Sequence, residues 1–263
     1  GIEAVGVDVD DFDITDEYQT NSYISKNKPN VVIHCAAYTA VDKAEEERDK
    51  CYAVNVTGTK NIAQVCKDIS AKMVYISTDY VFDGKGNEPH KEDEEPNPLN
   101  YYGFTKAEGE KIIKELLDRY FIVRTSWVYG INGNNFVKTM LKLAETRNEI
   151  NVVNDQIGAP TYTKDLAVLI CDLIQTDKFG IYHGVNEGYC SWYEFAKEIF
   201  RMSGKGVKVN PISTEQYPTK AKRPLNSRLS KENLDKAGFK RLPHWQDALK
   251  RYLIELKVYK GDN

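Results

Sequence analysis

The sequence predicts an α/β fold in which helices cover both faces of a parallel β-sheet, followed by a smaller lobe. Three observations lead to this prediction. Short apolar runs alternate with longer, more polar segments, as in a chain of strands and crossover helices. The apolar runs are continuous, which is typical of strands buried on both faces. The 263 residues, 41% of them apolar, suffice for one large domain, alone or with a small one.

The first half of the chain alternates strands with helices. Pro29 bounds the apolar run 30–35, and the run 72–77 is equally apolar. Helices of this length between strands imply right-handed crossovers and a Rossmann-like, doubly wound parallel sheet. In order, we expect a strand at 3–9, a helix at 16–28, a strand at 30–35, a helix at 49–69, a strand at 72–77, a helix at 103–118 and a strand at 120–125.

The second half is less regular. Residues 132–135 read as a turn and residues 155–162 as an irregular segment. Loops rich in Pro, Gly, Lys and Asn then join helices expected at 163–175, 191–203 and 244–256. We therefore expect a nucleotide-cofactor domain at residues 1–150 and a mainly substrate-binding α/β lobe at 151–263, with some chain crossing between them.

Composition excludes several classes of protein. The chain has 36 basic and 39 acidic residues, a balance that argues against nucleic-acid binding. Its apolar runs are far shorter than the roughly 20 residues that span a membrane. The five cysteines are scattered without C-x-x-C spacing, so we expect neither disulfides nor zinc, and a reducing cytoplasm. The acidic run 91–96 is interpreted as a solvated loop, and we expect no metal ion.

The strongest chemical signal is the pair Tyr102 and Lys106. On a helix, residues four apart share one face, and an ammonium beside a phenol lowers the pKa of the phenol. Such a tyrosine can donate a proton to a developing alkoxide. A tyrosine and a lysine four apart on an exposed helix face are the alternative, because this spacing alone is common.

Residues at the end of the strand 72–77 strengthen the catalytic interpretation. Thr78 and Asp79 follow this strand directly. At the carboxyl end of a parallel strand such side chains face the ligand crevice. Thr78 is then placed to bind the oxygen that Tyr102 protonates, and Asp79 to hold a substrate hydroxyl. The alternative is that both terminate the strand with side-chain to backbone hydrogen bonds.

With these residues in view, the chain resembles the dTDP-4-dehydrorhamnose reductases, a branch of the extended short-chain dehydrogenase/reductases. The resemblance covers nearly the whole chain. STDYVFDG separates this branch from the sugar-nucleotide epimerases and dehydratases. The motifs that carry it are HCAAYTAVDKAEEE at 34–47, NVTGTKNIA at 55–63, STDYVFDG at 77–84, NYYGFTKAEGE at 100–110, RTSWVYG at 124–130, DQIGAPTY at 155–162 and RPLNSRLS at 223–230.

The resemblance implies NADPH- or NADH-dependent reduction of the C4 ketone of a dTDP-linked 6-deoxyhexose, giving dTDP-L-rhamnose. It implies that Tyr102 is the general acid, that Lys106 binds the nicotinamide ribose and tunes Tyr102, and that Thr78 binds the sugar oxygen. For substrate binding it implies Asp79, Trp127 packed against the substrate, and Arg223 with Asn226 near the diphosphate. A buried core tryptophan and a surface arginine are the alternatives for Trp127 and Arg223. The oligomeric state is left open, with a homodimer among the choices.

Residues expected on the cofactor side come from several segments. Asp8 ends the first expected strand, where an acid commonly meets a ribose hydroxyl. Its charge disfavours a 2′-phosphate and so favours NADH, although the family generally accepts NADPH. The small residues after the second strand would let the cofactor approach the backbone, or serve tight packing. The full expected set is Asp8, Asp13, Ile14, Ala36, Ala37, Tyr38, Thr39, Asn55, Ile76, Tyr102 and Lys106.

The resemblance also has a gap. The family opens with a strand, a G-x-x-G-x-x-G turn and a helix, which bind the cofactor pyrophosphate. Residues 1–9 resemble the family's second strand instead, so we expect a unit of roughly 25 residues to be missing before them. We accordingly expect these 263 residues alone to bind a dinucleotide poorly and to turn over little substrate.

Two other functions remain open at this point. One is a catalytically silent regulatory or binding protein of this fold, like the regulatory subunit of methionine adenosyltransferase. The trio Thr78, Tyr102 and Lys106 argues against it, because a silent protein has no chemical need for them. The other is an epimerase or dehydratase, which returns its hydride and consumes no net cofactor.

Overall fold

A four-stranded parallel sheet forms the centre of the fold. The computed structural model of the chain describes residues 2–261. The sheet has the order β1-β2-β3-β8, and all three pairings are parallel. Its strands are β1 (Val31–His34), β2 (Lys72–Thr78), β3 (Tyr120–Thr125) and β8 (Gly180–His183).

Ten α-helices surround this sheet or build the second lobe among residues 2–261. They are α1 (Glu17–Asn27), α2 (Val41–Ala44), α3 (Arg48–Tyr52), α4 (Gly58–Asp68), α5 (Tyr101–Leu116), α6 (Phe136–Leu143), α7 (Thr163–Ile174), α8 (Trp192–Ser203), α9 (Glu232–Ala237) and α10 (Trp245–Glu255). A π-helical turn at Ala53–Thr57 joins α3 to α4, so the helix expected at 49–69 is continuous but locally widened.

Two apolar cores cover the two faces of the sheet. On one face α1, α4 and α5 pack through Ile24, Ile62 and Ile113. On the other face α7 packs through Leu169 and Leu173. Helices on both faces bury most of the residues of β2 and β3, as the continuous apolar runs predict. The α/β Rossmann-like fold class is confirmed.

The second lobe has its own core and several short strands. Its helices α6, α8 and α10 pack through Phe195, Ile199 and Leu249. The strands are β4 (Val128–Tyr129), β5 (Glu149–Val153), β6 (Ile157–Gly158), β7 (Thr161–Tyr162), β9 (Asn186–Glu187), β10 (Cys190–Ser191), β11 (Lys208–Ile212), β12 (Asn226–Ser227) and β13 (Leu242–His244). They pair as β11-β5, β4-β7, β13-β9 and a three-stranded sheet of order β10-β6-β12.

Two expectations for the N-terminal region are wrong. Residues 3–9 form exposed coil, not a strand, since no neighbouring strand in the described chain supplies hydrogen bonds to them. The strand β1 is present, but it is not buried on both faces. Ile33 is 42% exposed because β1 is an edge strand here, with β2 on one side only. Among residues 2–261, no helix has both the length and the apolar character to cross a bilayer.

Candidate active site

The first turn of α5 is brought against the carboxyl end of β2. Asn100 caps this helix by accepting a hydrogen bond from the Gly103 amide at 2.8 Å. Gly103 packs directly on the turn that follows β2, and a Cβ atom there would lie 2.1 Å from the carbonyl oxygen of Tyr80. The bare α-carbon of Gly103 therefore allows Tyr102 to approach Thr78.

Thr78, Asp79 and Tyr102 meet at this junction. The Thr78 hydroxyl donates to Asp79 Oδ1 at 3.0 Å and accepts from the Tyr80 amide at 3.2 Å. Thr78 therefore caps the turn and also faces the phenol of Tyr102, and its contact with a substrate oxygen remains a prediction. The other carboxylate oxygen of Asp79, Oδ2, is buried and has no hydrogen-bond partner in the described chain. Burial raises the pKa of Asp79 to about 6.

Tyr102 is half-buried, and its phenol is held in the neutral form. Burial raises its pKa above the ordinary value, the Thr78 hydroxyl acts in the opposite direction, and the nearby Asp79 carboxylate raises the pKa further. A phenol with this pKa carries its proton at neutral pH, as a proton donor must.

Lys106 is almost completely buried on the same helix, one turn after Tyr102. Its ammonium lies 3.8 Å from the centroid of the Tyr75 ring, a cation–π contact. Burial lowers the pKa of Lys106 to about 7. The expected lowering of the Tyr102 pKa by Lys106 is not the net result in this structure, because burial of Tyr102 has the larger effect and raises that pKa.

A buried ion pair beneath the site was not anticipated. Arg124 donates to both carboxylate oxygens of Glu110, at 2.7 Å from Nη2 and 3.0 Å from Nε, and both residues are at most 1% exposed. Ser77 donates to the same carboxylate at 2.5 Å. This contact ties α5 to β2 and β3 and fixes the register of Tyr102 against Thr78. The motifs contain Arg124 and Glu110, but no spacing rule pairs residues on different elements.

The segment after β1 presents small residues to solvent. Ala36 and Thr39 are exposed, and Ala37 is half-buried. Asn55 fixes this segment because its side chain accepts from the Tyr38 amide at 2.8 Å and donates to the Tyr38 carbonyl at 3.1 Å. Exposed backbone beside small side chains suits a dinucleotide that must lie close to the sheet edge.

Asn55 also connects this segment to the catalytic helix. Its amide donates to the Thr105 hydroxyl at 3.0 Å. Ile76, in β2, is half-buried between the two regions. These residues therefore share the carboxyl edge of the sheet with Tyr102 and Lys106.

The three cofactor candidates near the N-terminus lie in different settings. Asp8 does not end a strand, as expected, but sits in exposed coil, where it accepts from the Val9 amide at 2.7 Å. Asp13 caps its own turn by accepting from Thr15. Ile14 is half-buried and packs on Gly58. Contact of these residues with a cofactor remains a prediction.

Arg223 lines a cavity of about 510 Å³ beside the site. Its guanidinium makes a two-point ion pair with Asp42, at 2.8 and 3.1 Å, which raises the pKa of the arginine. Two further cations line the cavity, Lys85 and Arg228, and sequence reasoning did not single them out. Arg228 lies within the RPLNSRLS motif, which is the signal that could have identified it.

Asn226 lies in the wall of this cavity and is hydrogen-bonded on both sides. Its amide donates to the carbonyls of Glu88 at 2.8 Å and Lys85 at 3.3 Å, and its Oδ1 accepts from Arg228 at 2.9 Å. Asn226 therefore shapes the wall of the cavity and orients Arg228. Direct contact of Asn226 with a diphosphate remains a prediction.

Trp127 follows β3 in an unusual backbone conformation. Its φ angle is +49°, in the left-handed region, which costs roughly 1–2 kcal/mol for a residue with a side chain. Its indole is half-buried and stacks on Trp192, with ring centroids 3.6 Å apart. Thr125, two residues earlier, is the register partner of Thr78, so Trp127 emerges at the same edge of the sheet.

Comparison with known proteins identifies close relatives. The family model of the RmlD substrate binding domain matches residues 1–258. The spore coat polysaccharide biosynthesis protein SpsK of Bacillus subtilis is 44% identical over 97% of this chain and 89% of its own length. The dTDP-4-dehydrorhamnose reductase of Aggregatibacter actinomycetemcomitans is 43% identical over 94% of this chain and 88% of its own length.

A solved structure shares the fold closely. The dTDP-4-dehydrorhamnose reductase of Bacillus anthracis, crystallised in complex with NADP, superposes with a TM-score of 0.93. It is 48% identical, and the match covers 95% of this chain and 89% of that chain.

Proposed function

This chain belongs to the RmlD substrate binding domain family, and from that premise we propose that it reduces the C4 ketone of dTDP-4-dehydro-L-rhamnose to dTDP-L-rhamnose, using NADPH or NADH. The observation that carries the proposal is the junction of Tyr102 and Thr78 at the carboxyl end of β2, with Lys106 buried one turn away. This junction offers a neutral phenol, a hydroxyl and a cation to one carbonyl oxygen.

The phenol of Tyr102 supplies the proton. As the C4 carbonyl carbon gains hydride, its oxygen becomes an alkoxide, which takes the phenolic proton and leaves a phenolate. A neutral donor is required before that step, and Tyr102 is neutral at pH 7 because a phenol titrates near 10 or above. Proton uptake from solvent then restores the phenol, so that each turnover consumes one reduced cofactor and one proton.

Thr78 and Lys106 assist this transfer in different ways. The Thr78 hydroxyl faces the phenol and is placed to hold the same substrate oxygen. Lys106, when charged, stabilises the phenolate that remains after transfer. The unpartnered oxygen of Asp79 is free to accept a hydrogen bond from a sugar hydroxyl, which would satisfy a buried acceptor.

The cofactor supplies the hydride, and the residues at the edge of the sheet fit it. The exposed backbone at Ala36 and Ala37 gives room for a dinucleotide, and Asn55 keeps that backbone in place. Lys106 lies between this segment and Tyr102, where it would hold ribose hydroxyls. The same dinucleotide site is proposed to include Asp13, Ile14, Tyr38, Thr39 and Ile76. Asp8 belongs to the proposed set too, although its coil is exposed and makes no strand.

The nucleotide of the substrate is proposed to occupy the cavity of about 510 Å³. Arg223, Arg228 and Lys85 supply positive charge for a diphosphate, and guanidinium groups suit paired phosphate oxygens. Leu225 and Ile157 add an apolar wall for a base. Binding there would compete with Asp42 for Arg223, because the two form an ion pair in this structure.

The proposal also covers the division of the chain, its cellular location and its oligomeric state. We propose that residues 1–150 mainly serve the cofactor and residues 151–263 mainly the sugar nucleotide. A cytoplasmic location is supported by five free cysteines, which a reducing compartment preserves. A homodimer is a hypothesis that sedimentation of the purified protein would test.

The test is the loss of reduced-nicotinamide absorbance when full-length protein meets dTDP-4-dehydro-L-rhamnose. We expect stoichiometric oxidation of NADPH or NADH and formation of dTDP-L-rhamnose. Conversion of the keto-sugar nucleotide to an isomer, without net oxidation of the cofactor, would indicate an epimerase. Absence of both product and oxidation, with the cofactor bound, would indicate a silent binding protein. Either result would overturn the proposal.

A further inference from the structure

We propose that Trp192 is a positioning residue for the sugar substrate. Stacking on Trp192, in the second lobe, and contact with Gly158 hold the indole of Trp127 at the edge of the catalytic sheet. This inference rests on the proposed function, because it assigns the sugar to the exposed part of the Trp127 indole.

The backbone of Trp127 gives the first argument. Left-handed φ angles are rare for bulky residues and persist only where the surroundings compensate for the strain. Here φ is +49°. Residue 127 is neither glycine nor asparagine, the residues that adopt a left-handed backbone at low cost. Contacts of the indole must therefore compensate for the strain.

Two contacts do so. The Trp192 ring lies 3.6 Å from the Trp127 ring between centroids, with an angle of 12° between the planes. The indole of Trp127 also lies against Gly158, where a Cβ atom would be 2.7 Å from the ring. Trp192 is itself supported by Phe136 of α6, at 4.6 Å between centroids. The stack therefore joins the end of β3 to two helices of the second lobe.

The position of Gly158 relates this stack to the ligand cavity. Gly158 is a residue of β6, and its neighbour Ile157 lines the cavity and pairs with Asn226 in β12. Thr125, two residues before Trp127, pairs with Thr78. The stacked indole therefore lies between β3, which pairs with β2 at Thr78, and β6, which lines the cavity. A sugar joined to a nucleotide in the cavity and presented to Tyr102 would then lie against this indole.

Simple core packing is the competing explanation. Both tryptophans are only half-buried, whereas the apolar core of the second lobe contains residues such as Phe195 and Ile199 that are fully buried. A pair that served only the core would leave substrate affinity unchanged when weakened. A pair that positions the sugar would change it specifically.

The experiment compares Trp192→Ala, Trp192→Phe and Gly158→Ala in full-length protein, with steady-state kinetics in both substrates. We expect Trp192→Ala to raise the KM for the keto-sugar nucleotide about tenfold or more, because small displacements of a positioning group are costly. The KM for NADPH should stay unchanged. Trp192→Phe should retain part of the sugar affinity. Gly158→Ala should raise the sugar KM as Trp192→Ala does, because the added methyl group displaces the Trp127 indole.

A double-mutant cycle isolates the pair. Once Trp127→Ala is present, adding Trp192→Ala should have little further effect on kcat/KM for the sugar, since residues that act through one another are not additive. Trp245→Phe is the matched control: it alters a third tryptophan, also in the second lobe, and should combine additively with Trp127→Ala. If Trp192→Ala does not fold, the Phe and Gly158→Ala variants carry the comparison.

The outcomes separate the two proposals. A wild-type protein that binds NADPH but does not reduce the keto-sugar would overturn the proposed function. A wild-type protein that reduces it, with unchanged sugar KM in Trp192→Phe and Gly158→Ala and additive effects in the cycle, would overturn this inference alone.

Discussion

At the scale of one residue, the buried carboxyl of Asp79 lowers the stability of the folded protein at the position proposed to bind a sugar hydroxyl. That carboxyl is 3% exposed, one oxygen lacks a hydrogen-bond partner in the described chain, and burial raises its pKa from 3.8 to about 6. The folded protein therefore binds more protons than the unfolded chain between these values. That difference costs stability as the pH rises through this window, and the cost is complete above it.

We predict that Asp79→Asn melts at a higher temperature than wild type near neutral pH. A shift of about two pKa units corresponds to about 3 kcal/mol, or roughly 5 °C for a chain of this size. The gain should shrink as the pH falls from 6 towards 3, where the wild-type carboxyl becomes protonated in both states. The KM for the keto-sugar should rise. Calorimetric melts over this pH range check the prediction, and a pH-independent difference would contradict it.

Lys106 provides a second residue-scale prediction. Burial lowers the pKa of its ammonium to about 7, so part of the population is neutral at pH 8. In the proposed complex the cofactor's ribose hydroxyls accept hydrogen bonds from Lys106 and so favour its charged form. Cofactor binding is therefore coupled to protonation of Lys106. We predict fractional proton uptake on NADH binding at about pH 8, and weaker binding as the pH rises above 7. NADH is preferred here because it has no 2′-phosphate to titrate.

Titration calorimetry in two buffers of different ionisation enthalpy measures this uptake. Lys106→Met should abolish it because no titrating group remains. Lys106→Arg should abolish it as well, because a guanidinium stays charged throughout this range. Equal uptake in all three proteins would show that another group takes up the proton.

Sequence reasoning located these residues but not their surroundings. Helical spacing puts Tyr102 and Lys106 on one face, and a strand end puts Thr78 at the crevice, so the candidate site followed from local rules. The ring beneath Lys106 belongs to Tyr75, on another element, and only tertiary packing brings it there. For the same reason, the cavity cations Lys85 and Arg228 were missed, and the direction of the Tyr102 pKa shift was predicted wrongly.

At the scale of elements, the contact between α5 and β2 determines the site. Gly109 allows it, because a Cβ atom there would lie 2.3 Å from the Tyr75 hydroxyl. The ring of Tyr75 makes the cation–π contact with the ammonium of Lys106. Any shift of α5 away from β2 therefore moves Lys106 and, with the same helix, Tyr102.

We predict that Gly109→Ala lowers kcat at least tenfold, since misplacement by about 1 Å can cost a hundredfold. The melting temperature should also fall, because an added methyl group overpacks this interface. Gly206→Ala is the control: it is exposed, has open space around its α-carbon and should leave both quantities unchanged. Wild-type kcat in the Gly109→Ala protein would contradict this role for the helix–strand contact.

Element prediction succeeded where the pattern was strong. The strand at 120–125 and the helices at 16–28, 163–175, 191–203 and 244–256 agree with the structure to within two residues at each end. The missed elements are short or depend on distant partners: α6, the β5-β11 pair and β8. The coil at residues 3–9 shows the converse, because a β-rich run forms a strand only when another strand pairs with it.

At the scale of the whole molecule, the sequence division at residue 150 does not coincide with the packing. The strand β8 and the helix α7 follow residue 150, yet β8 completes the central sheet and α7 covers one of its faces. Conversely, α6 precedes residue 150 and packs in the second lobe. Each lobe therefore contains chain from both sides of the division.

We predict from this interleaving that thermal unfolding is a single cooperative transition. Because each lobe contains segments from both sides of residue 150, the unfolding of one lobe releases chain that anchors the other. Differential scanning calorimetry should give a calorimetric enthalpy equal to the van't Hoff enthalpy. Two resolved transitions would show that the lobes unfold independently.

The account depends most on the proton donated by Tyr102. The direct measurement is the rate of NADPH oxidation with dTDP-4-dehydro-L-rhamnose by full-length Tyr102→Phe, beside the neighbouring control Tyr101→Phe. We predict that the first loses about a hundredfold or more in kcat while keeping its melting temperature and NADPH affinity, because loss of general acid catalysis has this magnitude. The control should keep near wild-type kcat. Reduction at the wild-type rate by Tyr102→Phe would contradict the account.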